Sequence, residues 1–160
     1  MTDQETFQYL VPLACQWAKD REQFILERGA PLGPGHIADA RRVGVQDISR
    51  IKVLVVDRIP LPDHKELAEA ARRSDIITDA SRAVTLGHGI IIRADCWADR
   101  ELMVHQLVHI AQCERRGGLE PYLQEYLCDR QTCAKFTIGL FEDEARRIAR
   151  EICAADLITA

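Results

Sequence analysis

The residues best suited to chemistry are two histidines four positions apart, His105 and His109. Residues at this spacing lie one above the other on a helix face, so both imidazoles can point the same way. They suit two nitrogen ligands on one zinc ion, at about 2.0–2.1 Å each. The alternative is a pair of core histidines satisfied by hydrogen bonds. Residues 102–111 are apolar on nearly every side, which favours metal, because a buried unsatisfied polar group costs ~1–3 kcal/mol and one ion would partner both rings.

The stretch around this pair resembles the zincin-type metallopeptidases, whose signature is His-Glu-x-x-His on a central helix. DRELMVHQLVHIAQCERRGGLEPYLQEYL is similar to bacterial predicted zinc peptidases of the gluzincin kind. LGHGIIIR resembles the edge strand that lies across the family's active-site cleft, and IKVLVVDRIPLP resembles the segment before that strand. GLFEDEARRIA resembles the downstream gluzincin helix, in which a Glu followed by Ala supplies the third ligand. The resemblance covers roughly residues 50–155 and implies one Zn²⁺ ion per chain.

The resemblance assigns the third metal ligand to Glu144, which lies 35 residues after His109. Helical geometry is consistent with this assignment without deciding it, because Glu144 borders the apolar stripe of its predicted helix. That stripe consists of Phe141, Ala145, Ile148 and Ile152. Other donors stay open as alternatives: Glu142 on the other border of the stripe, Glu120, Glu125, and Cys113, four residues after His109.

The chain departs from the family signature at Gln106, which stands where the family has its general base Glu. In the zincin mechanism zinc lowers the pKa of its bound water toward ~7, and the Glu takes a proton from that water. Gln has nearly the same shape but accepts no proton at neutral pH, so ~10²–10⁴ in rate should be lost. Three explanations stay open: a natural pseudoenzyme or zinc-dependent binder, an engineered Glu→Gln change, or another base, with Glu114 and His88 as candidates.

Four more residues are candidates for contact with substrate. His88 and Gly89 come just before an isoleucine-rich strand, and they would face substrate if that strand borders the cleft. Tyr122 or Tyr126, which lie one helical turn apart, could stabilise an oxyanion, as Tyr or His does in some gluzincins. The alternatives are a turn residue at His88 and a packing role for the two tyrosines.

Helices and a small sheet are needed to position these residues. Helical periodicity predicts helices over residues 7–28, 37–43, 64–73, 99–115, 119–127 and 141–157, and β-branched runs predict strands over 51–57 and 83–93. Pro12 suggests that the first helix becomes regular only near that position. Gly87-His88-Gly89 interrupts the second strand, which indicates a bulge or a close backbone approach.

We therefore expect an α+β fold, helix-rich and zincin-like, with a small β-sheet packed on the central metal-binding helix. The 160 residues fit a single domain, 1–160, with an N-terminal helical segment over 1–48 and a metallopeptidase-like core over 50–155.

Composition narrows the classes of partner. The formal net charge is -4 and the pI is about 5.7, whereas a binder of nucleic-acid phosphates is normally basic. No apolar run approaches the ~20 residues of a membrane helix, and the acidic start lacks a signal-peptide profile. These features predict a soluble cytoplasmic protein. We expect its six cysteines to be free thiols, with a Cys128–Cys133 bridge as the alternative under oxidant.

The function expected from the resemblance is a zinc metallopeptidase-like domain acting on a peptide or protein, with hydrolysis impaired by Gln106. The alternative is a non-catalytic, zinc-stabilised module that holds an extended peptide. The third hypothesis is a metal-free structural domain.

Overall fold

The fold belongs to the predicted α+β class. The computed structural model describes residues 1–133 and 139–159. Its helices are α1 (Asp3–Arg28), α2 (Pro34–Val43), α3 (Lys65–Arg73), α4 (Arg100–Arg115), α5 (Leu119–Cys133) and α6 (Leu140–Thr159). Its strands are β1 (Ala30–Pro31), β2 (Lys52–Val56), β3 (Ala83–Leu86) and β4 (Gly89–Arg93).

Helix α1 begins earlier than the sequence suggested and continues through Pro12. The expectation that it becomes regular near Pro12 was wrong, because its start is fixed by a capping box. The Thr2 hydroxyl accepts the Glu5 N–H at 3.2 Å, and the Glu5 carboxylate accepts the Thr2 N–H at 2.7 Å. The cap and the packing of α1 outweigh the hydrogen bond that Pro12 cannot make.

The four strands form one mixed sheet in the order β1-β2-β4-β3. β2 and β4 are parallel, with Val53 opposite Ile90, and β3 pairs antiparallel with β4, with Thr85 opposite Ile90. The predicted strand over 83–93 is therefore a hairpin, and β3 lies at one edge of the sheet, with β1 at the other. The family resemblance had given that place to LGHGIIIR, most of which is the interior strand β4.

Two glycines explain the interruption in the strand pattern. Gly87 has φ +65°, which suits the first position of the two-residue turn that joins β3 to β4. Gly89 lies under α1, where an added Cβ would come within 2.9 Å of the Ile25 side chain. The close backbone approach expected from the sequence therefore occurs at Gly89.

The sheet is covered on both faces. Ile90 and Ile92 join the core cluster that includes α4, while Ile91 joins the cluster under α1. All three isoleucines are fully buried, as expected of a strand with helices on both sides. Helix α4 also packs against α2 and α6. The central helix is therefore enclosed, which explains its apolar sequence.

Candidate metal centre

Two helices bring the candidate ligands together. α4 carries His105 and His109, and its start is capped by Asp99, whose carboxylate accepts the Leu102 N–H at 2.9 Å. α6 carries Glu142 in its first turn, where the helix dipole favours a carboxylate. The two helices pack side by side.

Three donor atoms converge between these helices. His105 Nε2 lies 3.0 Å from Glu142 Oε2, and His109 Nε2 lies 3.1 Å from Glu142 Oε1. The two Nε2 atoms are 3.1 Å apart. Tetrahedral zinc with bonds of ~2.0–2.1 Å needs its ligand atoms roughly 3.3 Å apart. The donor set therefore fits a zinc ion after an adjustment of a few tenths of an ångström.

Hydrogen bonds determine which nitrogen of His109 faces this cluster. Gln112 Nε2 donates to the Phe141 carbonyl at 2.9 Å, which leaves Gln112 Oε1 against His109 Nδ1 at 2.8 Å. An amide oxygen only accepts, so Nδ1 carries the proton and neutral His109 has its lone pair on Nε2. That lone pair faces a carboxylate oxygen, so a cation, either a proton or a metal ion, is needed between them.

Two tyrosines complete the surroundings of the cluster. Tyr126 donates to Glu142 Oε1 at 2.8 Å, and the Tyr122 hydroxyl lies 3.2 Å from His109 Nδ1. Burial and the charge of Glu142 raise the pKa of both phenols well above the usual range, so they act as neutral groups. Burial opposes the ionisation of Glu142, but its hydrogen bonds and charge interactions with His105 and His109 outweigh this and hold the carboxyl pKa well below its usual range.

Glu144 does not meet the histidines; the carboxylate that lies against both of them is that of Glu142. The Glu144 carboxylate accepts from Arg115 at 2.8 Å and from Gln112 Nε2 at 3.1 Å. It thus supports the amide that orients His109. The prediction failed because the stripe used for it omitted Ala149, which is buried with Ala145. At about 100° per residue, adding Ala149 turns the buried face toward Glu142 and away from Glu144.

Gln106 is held by the edge strand. Its side chain is nearly buried, and the Thr85 hydroxyl lies 2.9 Å from its Oε1 and 3.2 Å from its backbone carbonyl. The amide oxygen therefore accepts a hydrogen bond from Thr85. Nε2 of Gln106 has no partner among the described residues. The position of the family's base thus presents a hydrogen-bond donor.

The cluster lies in the wall of a cavity of about 660 Å³, which falls within the ~300–1,000 Å³ typical of small-molecule sites. His105, Gln106, His109, Glu142 and Tyr122 all line it. The cavity is also lined by α1, α3, α5 and the segment that follows α3, and most of these residues are apolar. They include Leu10, Ala14, Trp17, Leu67, Ile77 and Leu123, and Arg73, Arg130 and Arg146 line the cavity as well. The N-terminal helix is therefore part of the site, which the sequence left undetermined.

His88 and Gly89 do not line this cavity, whereas Tyr122 does. His88 Nε2 lies 3.1 Å from Glu114 Oε2. The Glu114 carboxylate also accepts the backbone N–H groups of Gln46 and Asp47 at 2.8 and 2.9 Å. Burial acts to raise the pKa of Glu114, but these hydrogen bonds outweigh it and lower that pKa. Neither alternative base therefore contacts the cluster.

The other alternative ligands are engaged elsewhere. Glu120 pairs with Lys19, and Glu125 pairs with Arg116 at 2.7 Å. Cys113 is buried, and burial raises its pKa to about 12, so it stays a protonated thiol at neutral pH. Within the part of the chain that the structure describes, His105, His109 and Glu142 form the only group of three or more potential metal ligands.

Sequence reasoning missed two residues that organise the site. Gln112 follows His109 by three positions, a spacing that puts both on one helix face, and this was an available signal. Thr85 had no such signal, because its contact with Gln106 joins residues 21 positions apart. The side chain of the second cysteine in the alternative Cys128–Cys133 bridge lies outside the described residues. Cys15, Cys96, Cys113 and Cys153 are free thiols, as expected.

No family model, curated protein or solved structure matches the chain. The resemblance to zincins therefore remains a prediction, and the geometry of the site is the evidence for a function. Among the described residues, no helix is both long and apolar enough to cross a membrane.

Proposed function

We propose that the chain binds one Zn²⁺ ion through His105, His109 and Glu142 in a zincin-like metallopeptidase centre that lacks its general base. The observation that carries the proposal is the mutual separation of the three donor atoms, 3.0–3.1 Å. Two imidazoles and one carboxylate, with a fourth position open to a cavity, are the donor set of a catalytic rather than a structural zinc site.

A zinc ion held there would polarise a bound water or a substrate carbonyl. The protein's own groups would hold the centre in place. Gln112 fixes the tautomer of His109, and Tyr126 donates to the Glu142 carboxylate. Such partners of metal ligands typically contribute 10–100-fold to affinity or activity.

Peptide hydrolysis should be very slow in this chain because Gln106 accepts no proton. A second candidate function, a non-catalytic zinc-dependent binding module, is favoured by the Thr85 contact. That hydroxyl occupies the amide oxygen and leaves Gln106 with an N–H donor for a ligand. Both candidate functions use the same cavity. They differ in the expected effect of a carboxylate at position 106, which should speed hydrolysis in a peptidase centre and should not do so in a binding module.

Metal content after reconstitution tests the site itself. We expect one zinc per chain by elemental analysis of the purified protein and less than stoichiometric zinc in a His105→Ala, His109→Ala double variant. Absence of zinc from the reconstituted native chain would refute both candidate functions.

The variant Gln106→Glu separates the two candidates. Thr85 can still donate to one carboxylate oxygen, so the second oxygen would be available to take a proton. A peptidase centre should gain ~10²–10⁴ in rate on a mixed peptide library. Gln124→Glu, which adds the same charge on an exposed part of α5, is the control and should gain nothing. No gain in Gln106→Glu favours the binding module, and full activity of the native chain would refute the role given to Gln106.

The compartment is also part of the proposal. The four free thiols named above are typical of a reducing environment, which supports a cytoplasmic location. The apolar cavity and the acidic pI support a small ligand or peptide, rather than a nucleic acid, as the partner.

A further inference from the structure

We infer that the cavity binds a carboxylate carried on an apolar chain, with the carboxylate between the metal position and the Gln106 amide. This inference rests on the proposed metal site and adds the chemical class of its ligand. Hydrogen-bond polarity, charge balance and the composition of the cavity wall each support it.

The polarity of Gln106 is the first observation. Because Thr85 donates to Oε1, the free group of the amide is Nε2, which only donates. Gln106 lines the cavity together with both histidines. A ligand atom placed there must therefore accept a hydrogen bond, as a carboxylate oxygen does.

The charge balance at the metal position also favours a carboxylate ligand. The ligand set consists of two neutral imidazoles and one carboxylate, so with Zn²⁺ it keeps a net charge of about +1. An uncompensated charge beside a largely apolar cavity is costly. A monocarboxylate neutralises it, whereas a neutral amide or alcohol does not.

The residues that line the cavity indicate the chemistry of the rest of the ligand. Apolar side chains from α1, α3 and α5 line the same cavity as the cluster, with Leu10, Leu67 and Leu123 among them. Burying an apolar chain against them is favourable by about 25 cal/mol per Å² of buried surface.

Trp17 adds a feature that distinguishes two sources of such a ligand. Trp17 lines the cavity, and its Nε1 is buried and has no hydrogen-bond partner among the described residues. A plain fatty acid offers that N–H no acceptor. An N-acyl amino acid or the apolar C-terminus of a peptide offers an amide carbonyl. N-octanoylglycine and decanoate have similar lengths and differ in this carbonyl.

The chain provides its own fluorescent reporter for the test. It contains two tryptophans, Trp17 in the cavity wall and Trp97, which is exposed on the surface. In a Trp97→Phe background the emission comes from Trp17 alone. Zinc content is measured first, and then decanoate, N-octanoylglycine and decanol are titrated into zinc-loaded and zinc-free protein.

We expect both carboxylates to change the Trp17 emission and to bind at least about tenfold more tightly to the zinc-loaded protein. Decanol should bind at least about tenfold more weakly than decanoate, because it lacks the charge. Tighter binding of N-octanoylglycine than of decanoate identifies the acylated amino acid or peptide terminus as the source. Equal binding identifies the fatty acid.

Gln106→Glu should weaken decanoate binding at least about tenfold while zinc stays bound, because like charges then meet. Gln124→Glu should not. Stoichiometric zinc with no carboxylate binding, or binding unaffected by zinc and by Gln106→Glu, overturns this inference and leaves the proposed metal site standing. Absence of zinc overturns both.

Discussion

Replacing Glu142 by glutamine should release zinc, whereas the same change at Glu144 should leave it bound. Apparent binding energies of structural zinc sites are about 10–16 kcal/mol, or roughly 3–4 kcal/mol for each of four ligand positions. Loss of the Glu142 carboxylate should therefore weaken zinc binding ~10²–10³-fold. Glu144 reaches the centre only through Gln112 and keeps 39% of its side chain exposed. We expect an effect of less than about tenfold there.

Competition with a chromophoric chelator at pH 7 measures both affinities. Urea denaturation of the zinc-free proteins is the control, because it shows whether either variant loses the fold itself. The two substitutions remove the same charge from the same helix, so they differ only in position. Equal affinities in the two variants, or the larger loss at Glu144, would refute the assignment of the third ligand to Glu142.

Three further predictions concern residues around the centre. Gln112→Leu removes the acceptor for His109 Nδ1–H and should weaken zinc binding about 10–100-fold in the chelator assay; unchanged affinity would show that the tautomer needs no such support. Burial acts to raise the pKa of Glu114, but the hydrogen bonds from the Gln46 and Asp47 N–H groups outweigh it and lower that pKa in the folded protein. The unfolded chain therefore takes up that proton first, and stability falls as the pH drops through the usual range of a glutamate carboxyl. Urea denaturation between pH 7 and pH 3 should show a shallower fall in Glu114→Gln, and an identical pH profile would contradict the stated cause. Leu107→Ala in the core of α4 should cost ~2–5 kcal/mol of unfolding free energy at pH 7, against less than about 0.5 kcal/mol for exposed Leu157→Ala, and similar costs would contradict the described core.

The elements were largely predictable because each carries a local signal. Buried isoleucines in an unbroken run indicate a strand covered on both faces, and the apolar surroundings of His105 indicate an enclosed helix. The spacing of His105 and His109 alone places two imidazoles on one face. The α+β class follows from these patterns without knowledge of any contact between distant residues.

The residues that complete the centre were harder to predict because they depend on packing between elements. Whether Glu142 or Glu144 lies against the histidines depends on how α6 is rotated against α4. The buried alanine Ala149, which was left out of the predicted stripe, indicates that rotation. Thr85, which contacts Gln106, lies on β3, and β3 rather than β4 occupies this edge of the sheet. The start of α1 was predicted too late for a different reason: its capping box, Thr2 and Glu5, is a local signal that the sequence does contain.

The most direct test of the central claim is an anomalous difference map, recorded at the zinc absorption edge, from a crystal of the zinc-loaded protein. We expect one strong peak per chain, about 2.0–2.1 Å from Nε2 of His105 and of His109 and about 2.0–2.2 Å from a carboxylate oxygen of Glu142. A peak bound by other residues, or no peak between α4 and α6, would contradict it.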